Sequence, residues 1–148
     1  MRFELGAGDL ERLERLRAAF LAGRGRSPWR DTRDLELYDA TFGQRIAWKW
    51  AAVLDELAAR GIELPAERVL DFGCGTGVAA RAWLARPSGS ATRALWLHDA
   101  SSLAREHARG HVAREHPALR IELGLPAEPP DLLLASHVIG ELAPMELD

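Results

Sequence analysis

The stretch that most limits how this chain can fold is Val69-Leu70-Asp71-Phe72-Gly73-Cys74-Gly75-Thr76-Gly77. It is an apolar run that enters three alternate glycines and leaves into the helical pattern of residues 78–86. Glycine at every second position lets backbone approach a ligand closely, and a strand–turn–helix setting aims free helical N–H groups at it. The rest of the downstream sequence repeats this alternation. Strands are predicted over 68–72, 94–98 and 120–123, with a helix over 101–115 between the last two. Residues 132–139 form a mostly apolar run without a polar face, the pattern of a strand covered on both sides of a parallel sheet. The alternation defines an α/β fold with a doubly wound parallel sheet.

Upstream the period is helical. Leu10, Leu13, Leu16, Phe20 and Leu21 share one face of a helix over 10–22, with Asp9 placed to cap it, Gly23 to end it and Glu11 spaced to support Arg15. Residues 23–33 read as a loop. A second stripe, Ile46, Trp50, Val53, Leu54 and Leu57, runs to about Arg60 and ends before Gly61. The chain therefore divides into a helical segment over 1–61 with an Arg-rich loop, and an α/β part over 62–148.

Composition narrows the function classes. With 148 residues the chain can bury a core without staples, and its one cysteine, Cys74, excludes an internal disulfide and a site built from four thiolates. Membrane spans need about 20 apolar residues, more than any run here, and acids at 4, 9, 11 and 14 interrupt any leader-like segment. The expected compartment is the cytoplasm, and neither a membrane nor DNA is expected as a partner. Net charge is −3, yet residues 12–33 carry seven arginines against Glu14 and Asp31. Such a window is either a polyanion-binding arm or a solvated helix face and loop. Trp29, beside Arg24, Arg26 and Arg30, is either a platform for an unpaired RNA base or a loop anchor.

The glycine turn has an acid partner. Asp99 closes the 94–98 strand 22 residues after Gly77, where a carboxylate accepts both hydroxyls of a ribose. A dinucleotide fingerprint requires glycine or alanine where Val78 stands. The pattern Asp71-x-Gly73-x-Gly75-x-Gly77 instead resembles the first motif of Rossmann-like S-adenosylmethionine-dependent methyltransferases. That resemblance implies S-adenosylmethionine as cofactor. It implies Asp71 anchoring the cofactor's amino-acid end, Gly73, Cys74, Gly75 and Gly77 making room for it, and Asp99 holding its ribose. Glu128, in the turn after the 120–123 strand, is the candidate for the adenine edge.

A second resemblance lies in Pro130-Asp131-Leu132-Leu133-Leu134-Ala135-Ser136-His137-Val138-Ile139-Gly140-Glu141-Leu142, which is similar to the fourth-strand signature of the small-ribosomal-subunit-associated methyltransferase-like family. The Trp48 and Trp50 helix is similar to that family too. Membership implies a methyltransferase, or a non-catalytic assembly factor, working on the small ribosomal subunit or its rRNA. A small-molecule methyltransferase is the further alternative. His137 departs from the family's aromatic, and the family's iron–sulfur cysteines have no counterpart in this segment. The sheet of this family has about seven strands, so the chain is expected to be truncated after its fourth. Ser136 and His137 stand at that strand's carboxyl end, where open sheets bind ligands. Ser136 joins the cofactor-site candidates, and His137 is either a base acting on a methyl acceptor or a packing residue. No metal site is expected: His107, His111 and Glu115 share a helix face, but Ala108 stands where the zincin pattern requires Glu.

Overall fold

In the computed structural model, residues 4–22 and 27–138 are described. Helices α1 (Asp9–Ala22), α2 (Thr32–Tyr38) and α3 (Gln44–Ala59) precede strand β1 (Arg68–Phe72), helix α4 (Val78–Leu84), strand β2 (Ala94–His98), helix α5 (Ser102–Glu115) and strands β3 (Arg120–Leu123) and β4 (Leu132–Ala135). The strands form one parallel sheet in the order β3-β2-β1-β4. This is the Rossmann-like order, with β1 and β4 flanking the point where the winding reverses and where ligands of open α/β sheets bind.

Burial explains the sheet. Val69, Leu95 and Leu97 are fully inaccessible, and they pack with Leu134 beneath Trp83 of α4 and Val112 of α5. The Trp83 indole is satisfied in the interior by donating to the Thr92 hydroxyl at 3.0 Å, as a buried indole N–H requires. In register, Phe72 of β1 faces His98 on one side and Ala135 on the other. Three strands thus end level, and the residues that follow them meet at one edge.

Three sequence expectations change. Strand β4 stops at Ala135 instead of running to 139; His137 turns into a left-handed conformation at φ 59°, and residues beyond 138 lie outside the described part. Leu133 is also 56% exposed, because no described element covers that face. Helix α4 ends at Leu84, since Pro87 starts a separate 3₁₀ turn (Pro87–Ala91). Helical structure begins well before Ile46: Asp31 caps α2 by accepting the Asp34 N–H at 3.1 Å, and a wide π-helical turn over Asp39–Gly43 carries α2 directly into α3.

The N-terminal helices are held by charge. Asp34 is fully buried; it accepts from Arg12 at 3.0 Å, from Arg15 at 2.5 Å and from the Arg30 backbone N–H at 2.9 Å. Asp9, which starts α1, pairs with Arg33, whose guanidinium holds the Asp9 carboxyl below its ordinary range, and Arg12 does the same to Asp31. Arg15 therefore turns to Asp34 and the Pro28 carbonyl instead of supporting Glu11. Among the described residues no helix is long and apolar enough to cross a membrane.

Candidate functional site

The level strand ends place Gly73, Asp99 and Ser136 around one cleft of about 400 Å³, at the low end of the range that small ligands occupy. All three glycines of the turn have positive φ, but they serve different ends. A Cβ on Gly73 would sit 2.5 Å from Val138 Cγ2, and one on Gly77 3.0 Å from Ala108 Cβ, so those two exist for close packing. At Gly75, with φ 51°, a Cβ would meet nothing within 4 Å. Its side of the turn faces open cleft.

Asp99 is tied to the turn. One carboxylate oxygen accepts the Gly75 N–H at 3.0 Å and the other the Ser101 N–H at 2.8 Å, while Arg105 donates to the Asp99 carbonyl at 2.5 Å. A carboxylate has about four acceptor sites, and these bonds use one on each oxygen. One on each remains, which matches a ribose diol.

Asp71 is not where the resemblance would put a residue that touches the ligand. Its carboxylate is fully buried behind the turn; Oδ2 accepts the Ala80 N–H at 3.0 Å and Oδ1 has no partner. Burial pushes its pKa up to about 7, against the pull of the Ala80 N–H, with a smaller upward push from Asp99. It braces α4 against β1 and takes one of the first-turn helical N–H groups, which is therefore not open to a ligand. Cys74 is likewise a core residue. Its N–H donates to the His98 carbonyl at 2.9 Å, and burial drives its thiol far above its ordinary pKa, so it lines the cleft as an inert small group.

The remaining candidates divide between the site and elsewhere. The Ser136 hydroxyl accepts from the Trp50 indole at 3.1 Å, which fixes the end of β4 against α3. His137 is exposed at the cleft. Glu128 is corrected: it pairs with Arg68 at 3.2 Å, at the start of β1 and so at the opposite end of the sheet. Trp29 lines the cleft, held edge-on by Phe20 and Tyr38, so the loop-anchor reading describes its packing. Arg30 is exposed, and Arg24 and Arg26 lie outside the described residues. The His107 and His111 rings lie 4.6 Å apart, tilted by 50°, and burial depresses both pKa values; no cluster of three metal-ligating side chains occurs among the described residues.

Sequence reasoning missed the link between the two halves. Asp39 in the wide turn accepts from the Thr76 hydroxyl at 3.1 Å and pairs with Arg81 of α4, which docks the helical segment onto the glycine turn. Neither residue belongs to a spacing pattern. The Trp50 indole could have been suspected, because a half-buried N–H needs a partner.

Residues 42–146 match the family described as a methyltransferase domain. Together with the parallel sheet and its glycine turn, this defines the class: the chain belongs to that family, whose methyl donor is S-adenosylmethionine. Among particular relatives, it is similar to the ribosomal protein L11 methyltransferase of Chromohalobacter salexigens, 40% identical over 88 residues; the match takes in 57% of this chain and 29% of that protein. The chain thus spans less than a third of that relative. Two crystal structures resemble it at TM-score 0.49. One is the magnesium protoporphyrin IX methyltransferase of Synechocystis, 17% identical, covering 99% of this chain and 69% of that one. The other is an uncharacterised protein from Burkholderia thailandensis, 22% identical, covering 93% and 42%.

Proposed function

We propose that the cleft binds S-adenosylmethionine and that this chain carries the donor site of a methyltransferase working in the cytoplasm on the small ribosomal subunit or its RNA. The observation that carries the donor site is the pairing of Gly75, open to the cleft, with Asp99, whose carboxylate keeps one acceptor position free on each oxygen. Charge supports the same ligand. Among the described lining residues Asp99 is the one acid, and there is no Lys or Arg, so nothing there neutralises a pyrophosphate. When bound, the cofactor supplies a methyl group on a positively charged sulfur. The chain's own work is positioning: Asp99 holds a diol, the turn at Gly75 leaves room for the ligand, and Ser136, fixed by Trp50, shapes the wall near the acceptor side. His137 is the candidate to contact the acceptor.

Calorimetric titration with S-adenosylmethionine tests the site. Asp99→Ala should weaken binding about 100-fold, the loss of two hydrogen bonds to a charged acceptor; unchanged affinity would refute the assignment. The ribosomal reading is supported by the signature over 130–142 and by the similarity to a ribosomal protein methyltransferase. With Arg12, Arg15 and Arg33 committed to internal acids, the arginines proposed to meet RNA are Arg24, Arg26 and Arg30. Replacing Arg24, Arg26 and Arg30 with alanine should lower the salt dependence of RNA binding by about 2 to 3 in log–log slope. Donor binding without RNA binding would point to a small-molecule acceptor, and RNA binding without methyl transfer to an assembly factor.

A further inference from the structure

The N-terminal segment gives the cleft an aromatic wall. Phe20 of α1, Trp29 of the loop and Tyr38 of α2 touch one another, with ring centroids 5.0, 5.3 and 5.4 Å apart, and all three line the same cleft as the glycine turn. The sheet does not need them, because its core closes around Trp83, Leu95 and Leu97. Trp29 is fixed by its neighbours, meeting Phe20 at 66° and Tyr38 at 81°. Aromatic faces carry negative potential and attract cations. Within the described lining they stand with the carboxylate of Asp99 and without any Lys or Arg. Such a surface favours a positively charged ligand.

We infer that the Phe20–Trp29–Tyr38 wall recognises the positive charge of the donor's sulfonium, and so distinguishes S-adenosylmethionine from the neutral thioether, S-adenosylhomocysteine, that remains once the methyl has left. The inference rests on the donor reading above and adds a role for the helical segment: it reads the state of the cofactor. Its link to the turn runs through Asp39, which holds Thr76 and Arg81.

The test is a comparison of affinities, independent of turnover. Wild type, Trp29→Leu and Trp29→Phe are each titrated calorimetrically with the sulfonium and with the thioether. Trp29→Leu is expected to weaken sulfonium binding about fivefold more than thioether binding, the scale of one partly desolvated cation–π contact. Trp29→Phe should restore most of that difference. Equal weakening of both ligands would overturn the inference and leave the donor reading standing; a folded wild type that binds neither would overturn both. Phe20→Leu, on a different element, carries the same comparison if Trp29→Leu proves unfolded by circular dichroism.

Discussion

Two carboxylates among the described residues are wholly buried, and the two halves treat them oppositely. Asp34, between the N-terminal helices, is met by two guanidinium groups and a backbone N–H. Asp71, in the first strand of the sheet, is met by one N–H and keeps an oxygen without a partner. Taking a charge out of water is costly unless it is paired. In the helical segment a carboxylate is therefore a fastener, whereas in the sheet it is a destabilising group behind the ligand turn. Local instability of that kind tends to collect where function requires a particular geometry.

The contrast can be broken most directly at Asp34. Asp34→Ala leaves Arg12 and Arg15 without their shared partner and should cost about 3 kcal/mol, read as a lower urea midpoint with early exposure of α1 and α2 in hydrogen exchange. A loss much smaller than this would mean that apolar packing holds the helices.

Asp71 should respond in the other direction. Its folded pKa is raised to about 7, so the folded state binds the proton more tightly than the unfolded state. Its contribution is intact below the unfolded carboxylate pKa of about 4 and is lost as pH rises through about 7. Asp71→Asn should therefore be about 4 kcal/mol more stable than wild type at pH 8, with the difference gone near pH 4, as denaturation at both pH values would reveal. Donor affinity should stay within a few-fold, since the group lies behind the turn. The smallest effect belongs to Arg60, whose pair with Glu56 is exposed on both sides; Arg60→Ala should change stability by less than about 0.5 kcal/mol in the same assay.

The same contrast explains what could be read from the sequence. Strands β1, β2 and β3 lie over the residues predicted for them, because apolar burial repeats along the chain and leaves a periodic trace. The acid after β2 and the open glycine were legible for the same reason: both sit at fixed offsets from strands. The helical segment was harder. The window of residues 12–33 is strongly basic partly because its limits exclude Asp9 and Asp34, the acids that pair with Arg33, Arg12 and Arg15. Pairings across 19 to 24 residues leave no local period. Helix α2 was missed because its buried positions include Asp34, which any hydropathy pattern assigns to the surface. Asp71 stands in the motif with its carboxylate buried against α4, and its position in the motif says nothing about which way the carboxylate turns.

The wide turn over Asp39–Gly43 has a consequence for how such a protein can diversify. An α-helix advances about 100° per residue, so one residue added or removed in that turn would rotate α1, α2 and the aromatic wall as a unit while α3 kept its phase against the sheet. Most changes in a helix interior are absorbed or rejected by packing. Here a single codon could re-aim the whole segment above the cleft, after which the packing of α2 on α5 and the bonds of Asp39 to Thr76 and Arg81 would have to be rebuilt.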